Sequence, residues 1–150
     1  MVLILGLILF FLLFQGPVRI NDIQLDIHSM VFAGAMTLIG YMLLLFGFII
    51  RLIGINQGLL PPKHIFDYLR AKPVLEIGSL LGSILIIIGL FYGVTAIVEW
   101  GSAHFGALDP MVTMRTVLLS VMSILFGFIS LVFSIIFAFI VMPTNRVRND

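Results

Sequence analysis

Four long apolar blocks constrain this chain more than any other feature. They run from Met1 to Phe14, Met30 to about Ile55, about Leu75 to Val98, and about Val112 to Met142. None shows the amphipathic stripe of a soluble helix, and residues are 61% hydrophobic against 10% charged. A water-soluble domain of this length needs far more polar surface, so hydrocarbon is the solvent that suits it. Every backbone amide in such a block must then be paired within the segment, which selects helices. The sequence therefore predicts an all-α fold, an integral membrane bundle of four transmembrane helices in a single domain. The spans are placed at about 1–16, 30–55, 75–98 and 112–142.

The first block is short. It stops at Gln15-Gly16-Pro17, and at 1.5 Å per residue it covers roughly 21 Å of a core about 30 Å thick. With no basic leader and no small-residue cleavage site, it reads as a retained anchor, not a signal peptide. Upstream sequence completing the helix, or a locally thinned bilayer, would reconcile its length with a span.

Basic residues set the orientation. Lys63, Arg70 and Lys72 lie between the second and third blocks, Arg51 at the edge of that loop, and Arg146 and Arg148 in the tail. Arg19 and Arg115 occupy the other two connections, mixed with Asp22, Asp26, Glu99 and Asp109. The positive-inside rule puts the 56–73 loop and both termini in the cytoplasm. Within that loop, after Pro61-Pro62, Ile65, Phe66 and Leu69 fall on one helical face, which predicts a short amphipathic helix in the interface. Arg51, Lys63, Arg70 and Lys72 are the candidate contacts to lipid phosphate, each worth about 1 kcal/mol near an anionic surface.

Close packing through small residues must hold such a bundle together, because lipid supplies no hydrophobic drive between helices. The second span places Ala33, Gly40, Gly47 and Gly54 at heptad spacing; the third has Gly78, Gly82, Gly89 and Gly93. The fourth carries Thr113, Thr116, Ser120, Ser123, Gly127, Ser130, Ser134 and Ala138, in an almost unbroken alternation of threes and fours. These seams predict a left-handed bundle with the hydroxyls bonded back to their own helix. The first span, with Gly6 alone, is expected at the lipid-facing periphery.

Chemistry is sparse. No phosphate loop, dinucleotide fingerprint, paired-histidine metal motif or nucleophile elbow occurs in a usable context, so no catalytic residue, metal or cofactor is assigned. The absence of cysteine excludes disulfides and thiolate sites. A net charge of +1 gives no reason to invoke nucleic acid. Asp26-Ile27-His28 is a weak ligand pair and reads better as a helix cap with His28 in the first turn. Asp109-Pro110 reads the same way for the last span. Arg115, a turn and a half further in, is expected to contact Asp109 or Asp26. Glu76, at the entrance of the third span, is expected to pair with Arg51, Arg70 or Lys72, or to meet a partner domain.

Taken in order, Gly16-Pro17-Val18-Arg19, Leu25-Asp26-Ile27-His28-Ser29-Met30-Val31-Phe32 and Gly58-Leu59-Leu60-Pro61-Pro62 form a familiar string. Leu75-Glu76-Ile77-Gly78 and Leu108-Asp109-Pro110 with Thr113 and Arg115 continue it. Nearly the whole chain resembles the C-terminal membrane region of bacterial and archaeal family 2 glycosyltransferases, similar to dolichyl-phosphate sugar synthases. The resemblance implies a cytoplasmic GT-A catalytic domain that takes a nucleotide sugar, held beside a polyprenyl-phosphate acceptor. The Asp-x-Asp motif of that domain would precede Met1, so its catalytic roles map to no residue here. The expectation is a membrane-anchoring, lipid-facing subunit or detached membrane domain of such a system. A non-catalytic structural subunit packed within a larger membrane protein complex is the alternative. A small transporter ranks below both, since no span carries a charge near its middle.

Overall fold

In the computed structural model of the chain, residues 1–20, 23–61, 74–102 and 110–141 are described. Helix α1 covers Val2–Gln15, followed by strands β1 (Val18–Ile20) and β2 (Ile23–Leu25). The long helices are α2 (Ile27–Asn56), α3 (Val74–Ser102) and α4 (Pro110–Val141). Among the described residues, α2, α3 and α4 are long and apolar enough to cross a membrane, and α1 is a shorter apolar helix. The interfacial helix expected at Ile65–Leu69 lies outside the described residues, as do Lys63, Arg70, Lys72 and Asp109.

Two antiparallel helix pairs, α1 with α2 and α3 with α4, make up the bundle, and α2 against α4 joins them. In the first pair, a methyl added at Gly6 would lie 2.7 Å from the Thr37 backbone nitrogen, and one at Gly40 2.5 Å from that of Leu3. Only glycine allows backbones this close. In the second pair, Gly82 and Gly127 face each other: a methyl on Gly82 would meet the Gly127 carbonyl oxygen at 2.7 Å. Gly78 lies against Ser134, while Gly89 and Gly93 lie against Ser120. These contacts step evenly along both helices, as antiparallel neighbours require.

Polar ties and aromatic rings join α2 to α4. Asp26 meets Arg115 and Tyr41 meets Ser130 at the same sequence separation of 89, and Asn56 meets Ile140 at 84. A near-constant separation means that the two helices run parallel, both starting at one end of the bundle. Between the ties, Phe48 packs on Phe133 and Phe137 at centroid distances of 6.0 and 5.7 Å, with Leu52 buried beside them. Such ring pairs add to burial through their quadrupoles.

The β-hairpin is an element that the apolar-block reading passes over. Val18 pairs with Leu25 and Arg19 with Gln24 in antiparallel register. Val18 and Leu25 pack onto the cluster of Leu13, Met30 and Ala33 that closes this end of the bundle. The hairpin lets two antiparallel helices be joined with their backbone polar groups paired.

Candidate functional site

Charge inside the described bundle concentrates at the hairpin end. Arg115, in the second turn of α4, donates from Nη2 to Oδ1 of Asp26 at 3.0 Å, and both side chains are mostly buried, at 17% and 16% exposure. Asp26 occupies the N-cap position of α2, but its carboxylate makes no capping hydrogen bond. That corrects the expected role: the guanidinium draws the carboxylate away from the helix end, because a charge this poorly solvated gains more from an ion than from an amide. The Asp26 carbonyl still accepts from the Met30 amide at 3.0 Å. The Arg115 Nε is buried and has no acceptor among the described residues. His28 is exposed on the first turn of α2, leaving Asp26 without a co-ligand there.

The buried and half-buried serine and threonine hydroxyls divide into two kinds. Thr37, Ser130 and Ser134 donate to carbonyls four residues back, at 2.8, 2.7 and 2.9 Å. Ser120 instead crosses to α3 and donates to the Gly89 carbonyl at 2.7 Å. Because the Ser130 proton goes to Phe126, Tyr41 must be the donor in its 2.7 Å contact with Ser130. Tyr41 was not singled out from sequence. A phenol deep inside an apolar run signals a partner across the bundle, and that signal was available.

At the opposite end, Asn56 donates to the Ile140 carbonyl at 3.2 Å, supplying one of the last α4 carbonyls with a donor. The chain leaves α2 through Gly58 at φ 74, and Leu59 and Leu60 donate back to the Gly54 carbonyl at 2.9 and 3.2 Å. A methyl on Gly54 would meet the Leu60 side chain at 2.8 Å, so this glycine serves the turn. Among the described residues Gly47 meets nothing within 4 Å, which leaves the heptad stripe of α2 uncovered by them at that point. Arg51 lies exposed in the last turns of α2. Glu76 is exposed in the first turn of α3, and among the described residues its carboxylate makes no ion pair; its carbonyl accepts from Ser79 at 3.1 Å.

Between the helix pairs lies an apolar crevice of about 370 Å³ to which all four helices contribute. Phe10 and Phe11 of α1, Leu85 of α3, Thr37 of α2 and Met122 and Ser123 of α4 are among its walls. No three metal-ligating side chains converge among the described residues. The arrangement offers packing, a charge pair and an apolar slot.

Residues 48–141 match the C-terminal transmembrane region of glycosyltransferase family 2. The chain belongs to this family. No curated protein and no solved structure matches it. The family 2 stretch begins in the loop-end half of α2 and runs to the last residue of α4. Arg51, Asn56, Glu76 and Arg115 fall inside it, as do the whole Gly82–Gly127 interface and the loop between α2 and α3.

Proposed function

We propose that this family 2 membrane region anchors a GT-A glycosyltransferase unit at the bilayer and presents a polyprenyl-phosphate acceptor to it. The match over residues 48–141 carries this reading. The ends of α2 and α3 that flank the 56–73 loop form the presenting surface, facing the cytoplasm of a prokaryotic inner membrane. Arg51, Lys63, Arg70 and Lys72 there supply the charge that a lipid phosphate needs, and Arg is well suited to phosphate oxygens. The sugar chemistry belongs to the catalytic unit; the contribution of this chain is proximity, which raises the effective concentration of the two reactants. Glu76, exposed beside the loop, is a contact for the catalytic unit.

The test is transfer of a nucleotide sugar to polyprenyl phosphate in membranes containing the full chain and a GT-A unit that has no helices of its own. Transfer should fall when Lys63, Arg70 and Lys72 are changed to Gln, with the catalytic unit still bound. Undiminished transfer would sink the presenting role, and failure of any GT-A unit to associate would sink the anchoring role. The uncovered Gly47 favours a second reading as a structural subunit of a larger membrane complex, since a bare glycine lets a foreign helix approach closely.

A further inference from the structure

The apolar crevice has a definite depth along the helices. The Tyr41–Ser130 contact sets α2 beside α4 at a separation of 89, which puts Thr37 level with Phe126. Methyls at Gly82 and Gly89 would meet Gly127 and Ile124, so Leu85 of α3 lies at that level too. One at Gly6 would meet Thr37, which brings Leu7 of α1 there as well. These four residues make one end of the crevice, and Phe126 stands midway along α4 (Pro110–Val141). Set across a bilayer, the midpoint of so long and apolar a helix falls near the centre of the hydrocarbon. The other end of the crevice, at Leu119, is two turns nearer the hairpin, about 10 Å along the helix. A leaflet supplies about 15 Å, half of a core about 30 Å thick. The crevice therefore lies at the tail depth of the hairpin-side leaflet and stops at the mid-plane.

Its volume is about 370 Å³ and its walls have almost no polar surface. The Thr37 hydroxyl is spent on the Ala33 carbonyl at 2.8 Å. Packed interiors leave few voids, and an apolar cavity of roughly 150 Å³ already takes up benzene. α1 and α3 belong to different helix pairs that α2 and α4 join, so no glycine clasp among the described residues closes the side between α1 and α3. We infer that one phospholipid of the hairpin-side leaflet inserts an acyl tail there, its methyl end among Leu7, Leu85 and Phe126. A phospholipid of the loop-side leaflet would have to cross the mid-plane to enter, which a tail matched to one leaflet does not do. Helices on all sides slow the exchange of this tail, so it stays with the protein in mild detergent while the surrounding lipid leaves. The headgroup takes no part, so zwitterionic and anionic lipids bind alike. The site is separate from the 56–73 loop and stands whether or not a glycosyltransferase unit is bound there.

Reconstitution of the full chain in phosphatidylcholine vesicles, followed by extraction in mild detergent, tests this. Intact-mass measurement should find one phosphatidylcholine held per protein. Leu85→Trp, which fills the crevice, should lose it, and Ile87→Trp, at an exposed position of α3, should keep it. A second measurement uses the unaltered protein in the same vesicles and so does not depend on either variant folding. Phosphatidylcholine with a photoreactive group at the methyl end of a tail should label Leu7, Leu85 and Phe126. With the group beside the glycerol, the label should move to Leu119. Excess polyprenyl phosphate should change neither result. Absence of a held phospholipid, full retention by Leu85→Trp or the reverse order of labelling would each overturn the inference. Displacement by polyprenyl phosphate would overturn it too, and would give the crevice to the tail of the acceptor instead.

Discussion

Arg115 and Asp26 show how expensive a single charge becomes in this setting. Each is mostly buried, so removing one partner strands the other away from water. Arg115→Ala should therefore destabilise the folded chain by about 3 kcal/mol in detergent unfolding, the range seen for broken buried pairs. The Asp26→Asn, Arg115→Gln double variant should cost clearly less, because neither neutral amide is left as a buried ion. If the double variant is as unstable as the single one, the pair acts through shape instead of charge. Tyr41→Phe removes one hydroxyl that donates to Ser130 and should cost about 0.6 kcal/mol, the average for interhelical hydrogen bonds measured in a membrane. Asp26 also marks a limit of reading residues locally. Its place before a helix announced a cap and the sequence also offered Arg115, 89 positions away, as a partner, but nothing local said that the ion pair would displace the cap.

Among the elements, the glycines of α3 and α4 hold the closest approach. A methyl at Gly82 would sit 2.7 Å from the Gly127 carbonyl oxygen and 2.9 Å from the Leu131 side chain, and the backbone oxygen cannot yield without moving its helix. Gly82→Ala should push the helices apart and lower stability by about 2 kcal/mol, as overpacking does in tight cores. Gly47→Ala is the internal control: with nothing within 4 Å among the described residues it should be neutral or gain slightly from helix propensity. Matched thermal melts of the two variants in detergent check both. Gly82, Gly89, Gly93 and Gly127 were legible from spacing because close helix packing selects small residues at a fixed period. Spacing alone could not say which small residues are covered, so Gly47 looked identical to Gly40. The β-hairpin was missed because its strands have three residues each and lie between stronger apolar signals.

Seen whole, the molecule has two distinct ends. The hairpin end carries Asp26 and Arg115; the other carries Arg51, the Gly58 turn and the basic loop. Single cysteines introduced into this cysteine-free chain test the orientation. A cysteine at Arg19 should be labelled from outside the cell, and one at Lys63 from the cytoplasm alone. The reverse pattern would move the presenting surface to the wrong side for nucleotide sugars. Apolar block length and basic-residue placement made the spans legible, whereas the pairing of α2 with α4 was not, since nothing in one helix names its neighbour. The Asn56 contact to the Ile140 carbonyl has a mechanical consequence. The chain leaves α2 and ends α4 at points one side chain apart, so tension applied through the loop is shared by the last turn of α4. A tug from anything gripping that loop would be felt at both ends of the matched stretch at once.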